Sequence, residues 1–307
     1  MTDAVRRVDQ TEFDRGGQAG VAAAVHGVID AATSADGVAP LDESALLTLR
    51  HRGIAGSTLL VSDDPAAGFA WVHEGDLSVV VGPSARGDGR GRDLVEMALE
   101  STDVTTAWAH GDHPAAARLG AAFGFDRSRE LWVMRRSLAH LPEGPEPEDY
   151  RVRTFVPGRD EEGFIALNAE AFAQHPEQGG LTRADLDERI AEAWFDPGGF
   201  FVAESPAGRL LGFHWTKVHD GDPPVGEVYV VGVSPEAQGG GLGRALTLTG
   251  LHHLASRGLD EVLLYVESDN APAVAVYSRL GFDRAAKDTH VQYRRIDTGQ
   301  APSAGLT

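Results

Sequence analysis

The sequence contains no cysteine in its 307 residues. Disulfides, zinc sites built on thiolates and a cysteine nucleophile are therefore excluded, as is typical of a cytoplasmic protein. The sequence also lacks an apolar run of about 18 residues, and its start shows no basic and then apolar segment before a small-residue cleavage site. We therefore predict neither a membrane span nor a signal peptide.

Basic residues are scarce, since 27 Lys and Arg stand against 46 Asp and Glu and give a formal net charge of -19. Binding to nucleic-acid phosphates needs a basic surface, so nucleic acid is not expected as a partner. An acidic surface attracts cationic ligands, although solubility alone explains the same charge. The apolar content of 42% and the length predict two globular domains.

The order of signals in the second half of the sequence repeats that of the first half. In each half a β-branched strand leads into a glycine-rich turn, a helix, a second strand and a second helix that ends in Gly-Phe-Asp-Arg. This tetrapeptide begins at Gly124 and again at Gly281, and Pro83 and Pro235 open the two turns. We predict a duplication, with domains at 1–138 and 150–307 and a linker rich in proline and acid at 139–149.

The turn from Gln238 to Arg244 has the composition of a phosphate-binding loop. Its glycines let the backbone approach a ligand closely, and the amide groups at the start of the following helix favour an anion. No Gly-Lys-Ser/Thr follows, so the turn is not a Walker A loop, and it lacks the last glycine and the acidic residue of a dinucleotide-binding fingerprint. A loop without any ligand is the alternative at this point.

Two motifs together resemble the GNAT (Gcn5-related N-acetyltransferase) superfamily. They are Gln-x-x-Gly-x-Gly between a strand and a helix, and the later series Asn270, Tyr277 and Gly281-Phe282. The resemblance implies an α/β fold of two tandem domains, each a splayed mixed sheet flanked by helices. It also implies acetyl-CoA as co-substrate, without a metal, held by Val231, Gly232, Val233, Gln238, Gly239, Gly240, Gly241, Leu242, Gly243, Arg244, Asn270, Ala271, Pro272, Ala273, Val274 and Ala275.

Acetyl transfer to an amine needs a base for the ammonium, donors for the oxyanion and an acid for the departing thiolate. Glu227 begins the strand whose later amides at 231–233 would face the thioester, and it is the predicted base; a solvated acid at a strand end is the alternative. Tyr277 lies two helical turns after Asn270, on the same face, and is the predicted acid; packing in the core is the alternative.

The repeat predicts that the first half lacks this chemistry. A spacing of 152 residues, that of Pro83 and Pro235, places Gly75 opposite Glu227, and a spacing of 157 residues, that of the two Gly-Phe-Asp-Arg segments, places Gly120 opposite Tyr277. The first-half loop keeps its glycines, although Asp88 is unfavourable beside a pyrophosphate. Without a counterpart of the base or the acid, this half is expected not to be catalytic, and Asp88 leaves open that it binds CoA weakly or not at all. The resemblance implies a bound acetyl-CoA at Val79, Val80, Val81, Gly87, Asp88, Gly89, Arg90, Gly91 and Arg92.

Five short segments resemble the two-domain mycothiol synthase family: Asp36–Pro40, Ala171–Gly179, Ala193–Pro197, Leu211–Val218 and Leu264–Asn270. That family acetylates the cysteinyl amine of a cysteinyl-glucosaminyl-inositol with acetyl-CoA, which forms mycothiol in the last step of its biosynthesis. The resemblance implies a thiol-bearing amino sugar as the partner, and we expect a monomer. It implies walls of the cleft at His214 and Trp215 and substrate contacts at Glu43, Glu177, Lys217, Glu227 and Tyr265.

Two other functions stay open on the sequence. Another small amine, such as an aminoglycoside, or a protein N-terminus fits the same chemistry, although Lys217 disfavours a polycationic acceptor. A non-catalytic domain that senses acyl-CoA fits the first half, whereas Glu227 and Tyr277 argue against it for the second half.

Overall fold

The computed structural model describes residues 5–144, 149–173, 176–221 and 223–296. These residues form two compact units, the first made of residues 5–131 with 286–296 and the second of residues 132–285. Each unit is a mixed sheet with helices packed against it, which confirms the predicted α/β fold. No helix in the described part of the chain is long and apolar enough to cross a bilayer.

The elements follow one another in a similar order in the two halves of the chain. The first half forms β1 (Val5–Val8), α1 (Gln10–Asp14), α2 (Val21–Asp36), α3 (Glu43–His51), β2 (Thr58–Ser62), β3 (Gly68–His73), β4 (Asp76–Val81), α4 (Arg90–Ser101), β5 (Thr106–Ala109), α5 (Pro114–Phe123) and β6 (Phe125–Ser137). The second half forms β7 (Arg151–Thr154), α6 (Glu161–Ala171), α7 (Pro176–Gly179), α8 (Arg183–Ile190), β8 (Phe200–Glu204), β9 (Leu210–His219), β10 (Val225–Val233), α9 (Leu242–Ser256), β11 (Glu261–Glu267), α10 (Ala271–Arg279) and β12 (Asp283–Arg295).

Each sheet contains a parallel pair of strands. In the first unit the order is β1-β2-β3-β4-β5 and then the end of β12, with β4 parallel to β5 and the other pairs antiparallel. In the second unit the order is β7-β8-β9-β10-β11 and then the end of β6, with β10 parallel to β11. A parallel pair needs a crossover helix, and α4 and α9 supply it.

Helices cover both faces of each sheet, so central strands such as β2 and β3 are buried along nearly their whole length. In the second unit, Phe164 of α6 and Leu186 of α8 pack against the strand residues Phe213 and Trp215 on one face. Helices α9 and α10 cover the opposite face around Val228. Side chains on one face of this sheet therefore contact α6 and α8, and side chains on the other face contact α9 and α10.

The compact units divide after residues 131 and 285, whereas the sequence predicts a division at 139–149. The difference arises because residues 132–137 of β6 lie beside β11, and residues 291–294 of β12 pair with β5. Each sheet thus takes its last strand from the other half of the chain. Residues 139–149 separate the two copies of the repeat in the sequence. Their role as a domain boundary stays a prediction.

Candidate active site

Strands β10 and β11 separate part-way along their length. Their parallel ladder joins Gly226–Val228 to Val262–Leu264, and among the described residues it extends no further, whereas β10 continues beside β9. At Tyr229 the register of β10 with β9 skips one residue, which is a β-bulge. A bulge bends its strand and increases the local twist, so the edge of β10 at Val230–Val233 turns away from β11 and opens a gap between the strands.

Glu227 lies just before this gap. The strand register places it opposite Lys217 on β9 and beside Leu263 on β11. Neighbours across a sheet share a face, and so do alternate residues of a strand, so Lys217, Glu227 and Tyr265 lie on the same face. The Glu227 side chain is only 7% exposed, whereas Tyr265 is 40% exposed. Three of the five predicted substrate contacts therefore share one surface of the second unit.

The Glu227 carboxylate has a hydrogen-bond partner that the sequence did not single out. Nε2 of His219 lies 2.6 Å from Oε2 of Glu227. His219 is the last residue of β9 and pairs with Val225, so it lies diagonally across the strands from Glu227. A single histidine after a strand carries no motif, and only the register of the β9–β10 hairpin brings it to the carboxylate.

Tyr277 projects from α10 and is half-buried, with its ring packed against Phe282 at a centroid distance of 5.8 Å. Burial raises the pKa of Tyr277 to about 12. The phenol therefore keeps its proton at neutral pH, as a general acid must. The corresponding residue of α5, Gly120, is also buried, and a Cβ there would lie 3.1 Å from the ring of Tyr293. Tyr293 fills the space beside Gly120, so α5 has no room for a phenol.

The glycine-rich turn before α9 has the backbone of an anion site. Gly239 and Gly241 have φ angles of +85° and +83°, a region that side-chain-bearing residues rarely adopt. Gly241 is the N-cap of α9, and no side chain caps the first turn of this helix. Its leading N–H groups are therefore directed at the solvent or at a ligand, with the positive end of the helix dipole behind them.

The turn before α4 repeats this backbone in the first unit. Gly87 and Gly89 have φ angles of +93° and +89°, and Gly89 is the N-cap of α4 without a side-chain cap. Nε of Arg86 donates to the carbonyl of Val81 at 3.1 Å, just as Nε2 of Gln238 donates to that of Val233 at 3.2 Å.

Arg86 also forms an ion pair with Asp36 of α2 in the first unit. It makes two hydrogen bonds to Asp36, of 2.7 and 2.8 Å. This bidentate pair holds the pKa of Asp36 below its ordinary value. The loop of the first unit thus keeps its shape, while its arginine is bound to a neighbouring helix.

The spacing of 152 residues, which aligns Pro83 with Pro235, fails at the position of the predicted base. His73 of β3 pairs with Asp76 of β4, and the equivalent pair in the second unit is Lys217 with Glu227. The counterpart of Glu227 is therefore Asp76 and not Gly75, because the bulge at Tyr229 adds one residue to β10. The first unit keeps a carboxylate at this position, and Oγ1 of Thr106 donates to it at 2.8 Å.

The other predicted contacts have the following places. Asn270 caps α10, because its Oδ1 accepts the N–H of Ala273 at 3.1 Å. Glu43 opens α3 in the first unit. Glu177 belongs to α7, but its side chain lies outside the described residues.

The two residues predicted as walls of the cleft are buried in the core. His214 and Trp215 are 0% and 1% exposed. Nδ1 of His214 lies 2.8 Å from the carbonyl of Leu246 in α9, and burial lowers its pKa to about 4. Neither residue is accessible to a ligand, so the structure gives both a packing role. Within the described ranges no three His, Asp or Glu side chains are grouped to hold a metal ion.

Comparison with known proteins places this geometry in a family. Residues 165–282 match the model of the acetyltransferase (GNAT) family. The chain is 54% identical to a mycothiol acetyltransferase of a Nocardioides species, over 89% of this chain and 97% of that one. It is also 54% identical to a mycothiol acetyltransferase of Thermobispora bispora, over 89% and 95% of the two chains.

The chain belongs to the mycothiol acetyltransferase family. It is an N-acetyltransferase, and GNAT acetyltransferases use acetyl-CoA. A solved tandem GNAT protein from the clavulanic acid biosynthesis pathway shares the fold, with a TM-score of 0.67 at 20% identity over 94% of this chain and 98% of that one. A GCN5-related N-acetyltransferase from Sphaerobacter thermophilus has a TM-score of 0.65 at 26% identity over 95% of both chains.

The left-handed glycine at the start of α9 gives a first test of the loop in this acetyltransferase. Gly241→Ala is expected to raise the KM for acetyl-CoA about tenfold, because a Cβ at φ +83° costs about 1–2 kcal/mol and shifts the loop. Steady-state kinetics with varied acetyl-CoA measures this. The matched variant is Gly240→Ala, whose residue has no positive φ and no atom within 4 Å of an added Cβ. Equal KM values in the two variants would contradict a role for the backbone conformation.

Proposed function

We propose that this mycothiol acetyltransferase family member transfers the acetyl group of acetyl-CoA to the cysteinyl amine of cysteinyl-glucosaminyl-inositol. The product is mycothiol, and the reaction is the last step of its biosynthesis in the cytoplasm. The observation that carries the proposal is the buried Glu227 carboxylate at the point where β10 and β11 part. The identity of 54% to relatives named mycothiol acetyltransferase supports the choice of acceptor.

Acetyl-CoA, the acetyl donor, fits the second unit at the gap and at the start of α9. We propose that its pyrophosphate binds the amide groups of Gln238–Arg244, where the left-handed glycines leave the helix N-terminus uncapped. The pantetheine arm lies along Val231–Val233 and beside Asn270–Ala275 in this proposal. Asn270 has its Oδ1 in the helix cap, so its Nδ2 is the group left to donate to the arm.

Three groups of this chain then carry the chemistry. Glu227 removes the proton from the cysteinyl ammonium, directly or through one water, so that the neutral amine attacks the thioester carbonyl. An amide N–H of Val231, Gly232 or Val233 donates to the oxyanion that forms on the carbonyl oxygen. Tyr277 donates its phenolic proton to the sulfur of CoA as the carbon–sulfur bond breaks, and its phenolate then takes up the second proton of the attacking nitrogen, which leaves the amide product and a neutral Tyr277.

The acceptor sugars need polar groups around the base. Lys217 and Tyr265 share the face of Glu227 and supply an ammonium and a phenol for the hydroxyls and carbonyl of the acceptor. We also propose that Glu43 and Glu177 contact the acceptor. The first unit is proposed to be non-catalytic, because Gly120 stands where α10 has Tyr277, and its loop at 87–92 is proposed to hold a second acetyl-CoA. Arg90 and Arg92, which lie in the first turn of α4, support this part of the proposal.

A panel of amines tests the acceptor. Turnover with acetyl-CoA is measured for cysteinyl-glucosaminyl-inositol, glucosaminyl-inositol, free cysteine, an aminoglycoside and a peptide with a free N-terminus. We expect the first compound to have the highest kcat/KM, by about 100-fold or more, because binding of the remote sugars contributes to the transition state. A higher kcat/KM for the aminoglycoside or the peptide would replace the proposed acceptor, and no turnover with any amine would favour a sensing role.

The role of Tyr277 is tested by removing its hydroxyl. Tyr277→Phe is expected to lower kcat about 100-fold while the KM for acetyl-CoA stays within about threefold, because only the proton transfer to the thiolate is lost. The pKa of about 12 also predicts that wild-type kcat shows no decline from this group below about pH 11. A kcat of Tyr277→Phe within threefold of the wild type would contradict the assignment of the acid.

A further inference from the structure

His219 is the group in hydrogen-bond contact with the buried carboxylate of the second unit. Its Nε2 lies 2.6 Å from Oε2 of Glu227, a short distance of the kind that hydrogen bonds to an ionised group make. The Glu227 side chain is 7% exposed and that of His219 is 38% exposed. The contact therefore connects a buried carboxylate with an imidazole at the surface.

The direction of this hydrogen bond follows from the inventory of the two groups. An ionised carboxylate only accepts hydrogen bonds, so Nε2 of His219 carries the proton and donates to Oε2. Oε1 of Glu227 then remains to accept the proton of an incoming amine. A base whose orientation is fixed by a third group is the arrangement that nucleophilic and acid–base sites use repeatedly.

We propose that His219 is the positioning residue of the base: its Nε2–H fixes the Glu227 carboxylate and directs Oε1 at the amine. This inference rests on the proposed function, because it requires Glu227 to be the base. His219 touches neither acetyl-CoA nor the reacting atoms in the proposal. It acts on the rate only through the orientation and the charge of Glu227.

Lys217 lies opposite Glu227 in the strand register, but its ammonium group contacts two aromatic rings. Nζ of Lys217 lies 4.4 Å from the ring centre of Trp194 and 5.5 Å from that of Tyr229. Cation–π contacts of this kind hold an ammonium on the aromatic faces. Nε of Arg189 donates to the Tyr229 hydroxyl at 2.9 Å and fixes that ring. The hydrogen bond that orients the carboxylate therefore comes from the end of β9.

The first unit supports the inference by contrast. Asp76 occupies the register position of Glu227, and Oγ1 of Thr106 donates to its carboxylate. The histidine opposite Asp76, His73, stacks on Trp71 with ring centroids 5.3 Å apart and nearly parallel. The histidine opposite Asp76 thus packs on an aromatic ring, whereas His219 of the second unit contacts the carboxylate of Glu227.

A double-mutant cycle on the full chain tests this role. The variants are His219→Ala, His219→Gln, Glu227→Gln and His219→Ala with Glu227→Gln, assayed with radiolabelled acetyl-CoA and cysteinyl-glucosaminyl-inositol. We expect His219→Ala to lower kcat on the order of 10- to 100-fold with an unchanged KM for acetyl-CoA, which corresponds to one hydrogen bond to a charged group. His219→Gln keeps an N–H donor and should recover most of the loss. In the Glu227→Gln background, His219→Ala should cost less than about twofold, because the two residues act as a unit.

The outcomes separate this inference from the proposed function. Full turnover by His219→Ala, with Glu227→Gln inactive, overturns the positioning role and leaves Glu227 as the base. Near-wild-type turnover by Glu227→Gln overturns both. A loss in His219→Ala that His219→Gln does not recover, and that is fully additive in the cycle, assigns His219 a structural role instead. His252→Gln is the matched control, since His252 is exposed and bonds only to the carbonyl of Pro142 in the described contacts; its kcat should equal that of the wild type.

Discussion

Glu227→Gln is expected to lower the kcat of acetylation about 1,000-fold, within the range that loss of a general base causes. The amide has the shape of the carboxylate but cannot take the proton of the ammonium. Acetyl-CoA affinity should stay within about threefold of the wild type, because the loop at 238–244 does not include residue 227. Stopped acetylation assays give kcat, and titration calorimetry with acetyl-CoA gives the affinity.

The matched control is Asp76→Asn, which makes the same carboxylate-to-amide change at the same register position of the first unit. Its kcat should remain within about twofold of the wild type, because α5 carries Gly120 where α10 carries Tyr277. If Asp76→Asn loses as much activity as Glu227→Gln, the assignment of catalysis to the second unit is wrong. If Glu227→Gln keeps more than a tenth of wild-type kcat, the base is another group.

The two glycine-rich turns are the part of the fold that the sequence predicted most directly. Glycine is required where φ is near +90°, so the spacing of Gly87 with Gly89 and of Gly239 with Gly241 reports a backbone shape. Both turns adopt that shape and both lead into a helix without a side-chain cap. A local conformation with a local sequence cause can be predicted from a single chain.

The bulge at Tyr229 could not be predicted in the same way. It is defined by the pairing of β10 with β9, and a β-branched run such as Val228–Val233 is compatible with a regular strand or a bulged one. The bulge adds one residue to β10, so the spacing of 152 residues misaligns the residues that precede the bulge by one position. The spacing therefore aligns Glu227 with Gly75, which is a residue of the β3–β4 turn, and not with the carboxylate of Asp76.

Two other features could not be predicted from the sequence for the same reason. They are the contact of His219 with Glu227 and the position of the last strand of each sheet. His219 reaches the carboxylate only through the register of two strands, and residues 291–294 reach β5 over a long stretch of chain. Pairing between distant segments depends on tertiary packing rather than on the composition of either segment. The sequence therefore pointed to Glu227 on β10 and Tyr277 on α10 as candidates, whereas the contact of Glu227 with His219 is visible only in the structure.

An ion-pair network at the start of the second unit predicts a large effect on stability. Arg153 of β7 donates to both oxygens of Asp160, at 2.6 and 3.0 Å, and its Nε donates to Glu204 of β8 at 2.8 Å. Asp160 also accepts the N–H of Val156 at 2.8 Å. The Arg153 and Asp160 side chains are 13% and 5% exposed. The network joins the outer strand, its neighbour and the first turn of α6, so its loss affects all three.

Asp160→Ala is expected to lower the free energy of unfolding of the second unit by about 3–5 kcal/mol, because it leaves the partly buried Arg153 without its bidentate partner. Urea denaturation, with hydrogen exchange at the amides of α6 and β8, measures the loss.

Burial opposes the charge of Asp160, yet the hydrogen bonds from Arg153 and Val156 hold its pKa below the ordinary value. The stability that this lowered pKa contributes is complete above about pH 4 and is lost as the pH falls through the native pKa, so wild type and variant should converge in acid. Asp187→Ala, which removes an exposed partner of Arg183, should cost less than about 0.5 kcal/mol. A similar loss in both variants would show that the network adds nothing beyond a surface pair.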